Sequence, residues 1–115
     1  MAKASGSSQV GALLDTFHLN IEEKNVEQAI IDAGDKSVHF HVSDNDRGVP
    51  GSGHVPWNSV KKGLQTLGYD GWIVAEMFVI AGNPASADLN IWRPIEADAT
   101  DAAARALAFM QAQFA

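Results

Sequence analysis

Four side chains in this sequence combine the types and spacing that cation chemistry requires. Asp15 closes the apolar run from Val10 to Leu14. His39 and His41 alternate within SVHFHV (Ser37 to Val42), and Glu76 stands near the end of the bulky apolar stretch GWIVAEMF (Gly71 to Phe78). Each run is short enough for a strand, and each is followed by polar loop residues. If the three strands are parallel, a carboxylate, an imidazole and a second carboxylate reach one crevice at their carboxyl ends. That is where parallel sheets hold ligands. Such a set suits a divalent cation of the manganese, magnesium or cobalt kind. Alternation along a strand puts His39 and His41 on one face, with His41 nearer the mouth.

Each residue also has a plainer role open to it. An Asp after a strand commonly caps a turn or a helix, and a single strand His is commonly a satisfied polar residue. Glu76 lies among Ile73, Val74, Ala75, Met77 and Phe78 and needs a partner if buried, which a salt bridge to Arg47 could supply.

The elements that must position these side chains follow from periodicity. Glu23 to Ala33 spaces Val26, Ala29, Ile30 and Ala33 as a helix does and stops at Gly34, with Asn20 and Glu23 forming a capping box. Trp57 to Leu67 sets Trp57, Val60, Leu64 and Leu67 on one face before Gly68. Thr100 to Phe114 is Ala-rich, with Thr100 as its N-cap. The predicted order is β-α-β-α-β-α, which implies parallel strands joined by right-handed crossovers. The loops from Ser43 to Pro56 and from Val79 to Ala99 are long, and long loops after strands are where such folds keep their chemistry.

The 115 residues bound the rest: one domain over residues 9 to 115, after a small, polar, disordered leader at 1 to 8. With 46% hydrophobic and 19% charged residues the composition is globular, and a net charge of −6 disfavours nucleic acid. There is no cysteine, hence no disulfide or thiolate metal site, and no apolar run reaches the roughly 20 residues of a membrane span. A cytoplasmic protein is expected.

Local strings carry a resemblance. LLDTFHLNIEE (13 to 23), HFHVSDNDRGVPGSGHVPW (39 to 57), YDGWIVAEMF (69 to 78) and IWRPI (91 to 95) closely resemble the ketose 3-epimerases, the D-tagatose or D-psicose group of the xylose-isomerase-like superfamily. The strings run in order from about residue 10 to about 95. Pro56 departs from the pattern, which commonly has Asp before the Trp.

The resemblance implies a (β/α)8 barrel with a Mn²⁺-like ion (Mg²⁺ or Co²⁺ as alternatives) held by Asp15, His41 and Glu76. It also implies that His18 and Arg47 bind a sugar substrate. Glu76 would serve as the base that removes the proton next to the ketose carbonyl, through an enediolate. A second carboxylate, from an earlier strand in the family, returns the proton on the opposite face.

Only the last three βα units of eight are represented, so a partial barrel is expected. Its inner face, with Leu13, His39, Trp72, Val74 and Glu76, would be left open, and self-association or a complementing chain is expected to cover it. A metal-dependent epimerase or isomerase is therefore one expected function, and a catalytically inactive, self-associating fragment that keeps a metal or sugar site is the alternative. Kinship with metal-dependent endonucleases of abasic DNA is disfavoured by the acidic charge. Trp57 and Trp92 are read as packing residues and His54 as a solvent-exposed loop residue.

Overall fold

The computed structural model describes residues 2–115. Its sheet consists of three parallel strands in the order β1-β2-β3: β1 (Ala12–Asp15), β2 (Ser37–Val42) and β3 (Ile73–Ala75). The chain alternates as expected, with α1 (Thr16–Glu22) and α2 (Val26–Ala33) after β1 and α3 (Trp57–Leu67) after β2. After β3 come the short α4 (Pro84–Asp88) and then α5 (Ala99–Phe114).

One face of the sheet is covered. Phe40 and Val42 point from β2 into a core closed by Val26 and Ile30 of α2 and by Val60 and Leu64 of α3, all buried. Leu14, Ile73 and Ala75 pack against the same cluster. Gly63 lets α2 and α3 approach closely, since a Cβ there would lie 3.0 Å from the Cβ of Ile30. A second, smaller cluster joins Val49 and Val79 to Ala102 and Ala106 of α5.

The opposite face is open. Leu13 is 52% exposed, Trp72 79% and Val74 37%. These are the positions that the family resemblance places on the inner surface of a barrel.

Several boundaries differ from expectation. The segment Thr16–Glu22, assigned no element from sequence, is a helix; at 7 residues it is too short to show a period. Asp15 caps it, taking the Phe17 N–H at 2.8 Å. The next helix starts at Val26 rather than Glu23, because Asn25, not Asn20, accepts the Gln28 N–H. Likewise Asp98, not Thr100, caps α5 by accepting from Asp101. A carboxylate or amide outcompetes other candidates when its own backbone is extended, as at both true caps. The third strand is three residues long rather than eight. Beyond Ala75 the chain holds on through two further bonds, from Glu76 N–H to Val42 and from Phe78 N–H to the carbonyl of Arg47. In the leader, Lys3–Ser5 form a single 3-10 turn, and Lys3 Nζ donates to the carbonyl of Asp32 at 2.7 Å.

Candidate metal and substrate site

The register of the sheet assembles the site. Asp15 lies opposite His41 across β1 and β2, and Glu76 follows β3 one step beyond the pairing of Val42 with Ala75. Alternation then turns all three side chains to the open face. His41 Nδ1 is 3.4 Å from Glu76 Oε1 and 4.0 Å from Asp15 Oδ2. One ligand atom from each residue lies within 4.8 Å of the other two. Two carboxylates and one imidazole converging from separate strands fit a divalent cation that accepts oxygen and nitrogen donors.

His39 sits one repeat deeper on β2, its ring 4.9 Å from that of His41 and edge-on to it. It supports the imidazole from below and adds no atom to the trio.

The two residues assigned to substrate stand beside the trio. Arg47 Nη1 is 3.6 Å from Glu76 Oε2, and its Nη2 donates to His18 Nε2 at 3.4 Å. The guanidinium lies over the Phe17 ring at 4.1 Å and near Phe78 at 5.3 Å, which fixes its plane. Glu76 thus faces His41 on one oxygen and pairs with Arg47 on the other. A cleft of about 460 Å³, bounded by Leu13, Asp15, His18, His41 and Glu76, opens over the group. That volume is in the range of small-molecule sites.

Of the aromatic residues, Trp57 packs edge-on against Phe109 at 5.0 Å, as expected. Trp92, expected to pack, is instead 84% exposed, with Arg93 5.7 Å from its ring and paired to Asp46 at 3.5 Å. His54 is exposed, as its loop position implied.

Asp44 was missed in sequence. It is fully buried at the head of the loop after β2. Burial pushes its pKa up, but hydrogen bonds from the backbone of Asn45 and Val55 and from the Trp57 indole outweigh that, so its pKa is lowered from the usual 3.8. The one available signal was an Asp leading a Gly-rich segment, SDNDRGVPGSG.

A parallel α/β sheet with its polar cluster at the carboxyl edge is the arrangement in which both barrels and open α/β sheets hold ligands. A family model described as xylose isomerase-like TIM barrel matches residues 1–113. The chain is 41% identical over 98 residues to the D-psicose 3-epimerase of Enterocloster bolteae, covering 85% of this chain and 33% of that protein. It is 36% identical over 104 residues to the ketose 3-epimerase of Arthrobacter globiformis, covering 89% and 36%. Among solved structures, D-psicose 3-epimerase in the presence of D-fructose aligns with a TM-score of 0.89 and 36% identity, over 97% of this chain and 40% of that one. The D-psicose 3-epimerase of Clostridium cellulolyticum H10 with D-tagatose aligns equally well, at 0.89 and 35%. The chain belongs to the xylose isomerase-like TIM barrel family and is similar to its sugar epimerases. It spans about a third of the length of the relatives it matches, and its three parallel strands are part of a barrel.

Proposed function

We propose that this chain carries the base-and-cation side of a ketose epimerase site that acts on a small sugar. The convergence of Asp15, His41 and Glu76 within 4.8 Å supports this reading. Those three residues would hold the divalent cation, Mn²⁺ first and Mg²⁺ or Co²⁺ as alternatives. When bound, the cation supplies Lewis-acid polarisation of the ketose carbonyl.

The remaining chemistry belongs to side chains. The hydrogen on the third carbon of a 2-ketose is acidic because it neighbours the carbonyl. The Glu76 carboxylate takes that proton, the C–H electron pair becomes the π bond of a C2=C3 double bond, and the carbonyl π pair moves onto the C2 oxygen, giving an enediolate. Arg47 and His18, beside Glu76, stabilise the developing negative charge. Inversion requires a proton returned to the other face of the third carbon. Among the described residues, the three strands turn only Asp15 and Glu76 to the open face as carboxylates, so that acid comes from beyond these strands.

The open sheet face favours a second reading for the chain on its own: a non-catalytic unit that self-associates, or pairs with a complementing chain, while keeping its cation site. A cytoplasmic setting accompanies either reading.

The test is a calorimetric Mn²⁺ titration beside His41→Ala, followed by conversion of D-psicose with Mn²⁺ beside Glu76→Gln. Binding lost in the first variant and turnover lost in the second support the epimerase reading. Binding without turnover supports the second reading. A folded chain that binds no cation overturns both.

A further inference from the structure

Arg47 holds its position against local cost. Its φ is +64°, a left-handed conformation that an L-residue with a long side chain seldom adopts, yet it is only 8% exposed and its guanidinium faces Glu76 and His18. Something must over-determine that backbone. The turn that sets it begins at Asp44: the Arg47 N–H donates to the Asp44 carbonyl at 3.0 Å, and the Asp44 N–H donates to the Gly48 carbonyl at 3.1 Å.

The Asp44 side chain fixes the other end of the same loop. Its Oδ1 accepts the N–H groups of Asn45 at 2.9 Å and Val55 at 3.2 Å. Its Oδ2 accepts the Gly51 N–H at 2.8 Å and Trp57 Nε1 at 3.1 Å. Four donors therefore meet two oxygens, from positions spread along the loop and the first residue of α3. The fit is close enough that a Cβ on Gly53 would lie 2.4 Å from Asp44 Oδ1. On the other side, Thr16 Oγ1 donates to the Ser43 carbonyl at 2.7 Å and accepts the Ser43 N–H at 3.0 Å, tying the loop's root to the start of α1.

From this geometry we infer that Asp44 is a positioning residue for the site: its carboxylate folds the loop from residue 43 to 56 onto itself, and the closed loop holds Arg47 left-handed with its guanidinium between Glu76 and His18. Asp44 touches neither the cation ligands nor the cleft, so it acts through Arg47. An acceptor-only group is required there. An amide in its place would turn an NH2 toward two N–H donors and leave them without a partner. The inference rests on the proposed role of Arg47 in stabilising the negative charge that develops on the sugar, while the placement of Arg47 can be read without turnover.

Asp44→Asn in the full chain tests it, read by the ¹⁵N–¹H resonance of Arg47 Nε together with Mn²⁺ titration. The expected result is loss or averaging of the Arg47 signal with Mn²⁺ affinity changed less than about twofold, because the Asp44 carboxylate bonds to Asn45, Gly51, Val55 and Trp57 and to none of the three ligands. An unchanged Arg47 signal, or Mn²⁺ affinity falling along with it, overturns the inference. If Asp44→Asn does not fold, Trp57→Phe decides, since it removes one of the four donors and keeps a ring against Phe109. A shifted Arg47 signal supports the inference and an unshifted one overturns it. Where turnover is present, Asp44→Asn and Arg47→Ala lower kcat by similar factors and the double variant loses no more than either. Multiplying losses overturn it. Absence of turnover in the parent chain bears on the proposed function alone, and the Arg47 resonance still decides this one.

Discussion

Asp15 and His41 are register partners on adjacent parallel strands, and the Asp15 carboxylate serves two neighbours at once. Its Oδ1 takes the Phe17 N–H at 2.8 Å and so starts α1, while its Oδ2 lies 4.0 Å from His41 Nδ1. One side chain thus begins a helix with one oxygen and turns the other toward the candidate cation site.

These tasks separate on substitution. Asp15→Asn keeps an oxygen for the cap and loses the charge, so the thermal midpoint should hold while Mn²⁺ affinity falls by more than about tenfold, the scale reached when even a ligand's supporting partner is removed. Asp15→Ala should lose both, with about 1 kcal/mol of stability gone with the cap. Calorimetry of unfolding and Mn²⁺ titration on the same two variants check this; equal midpoints for Asn and Ala would refute the capping role.

Asp44 predicts an acid limb of stability. Its folded pKa lies below the usual 3.8, so the unfolded chain binds its proton first as pH falls. The stabilisation it contributes is complete above that usual value and is lost progressively as pH drops toward the folded pKa. Urea midpoints measured from pH 6 to 2 should therefore fall more steeply below pH 4 in the parent than in Asp44→Asn. Parallel curves would show that the lowered pKa contributes nothing to folding.

The contact of α2 with α3 leaves little room for an extra atom. A Cβ at Gly63 would sit 3.1 Å from the carbonyl oxygen of Glu27 as well as against Ile30, which is held in the core. Overpacking of this kind costs about 1–3 kcal/mol, against roughly 1 kcal/mol gained in helix propensity. Gly63→Ala is expected to lower the urea midpoint, and a raised midpoint would mean that the helices can separate freely.

The open face predicts association. With Leu13, Trp72 and Val74 exposed on one side of a sheet whose two outer strands are short, the chain alone should sediment as more than a monomer at micromolar concentration. Trp72→Lys combined with Leu13→Lys should shift it toward monomer. A parent chain that light scattering shows to be monomeric would rule out this self-association.

Much of the site was legible because its logic is one-dimensional. Period-2 alternation assigns His41 and Glu76 to the face away from Phe40 and Ala75, and an Asp at the end of an apolar run marks the strand's mouth. α3 is bounded as predicted, Trp57–Leu67, because its apolar stripe and Gly68 are local signals. The helix caps were less legible. Asn20 and Asn25, or Asp98 and Thr100, offer similar chemistry, and the choice depends on where the backbone becomes extended.

What the sequence by itself determined is the alternation of three strands with helices, their parallel pairing, the side chains that share the open face of the sheet, and the residues able to hold a cation. Tertiary structure alone decided how those residues meet. The register that sets Asp15 beside His41, the left-handed backbone at Arg47, and the burial of Asp44 under four donors all depend on contacts between segments far apart in the chain. Composition and period describe one segment at a time, whereas a loop folded on a buried carboxylate is stable only once its partners have arrived.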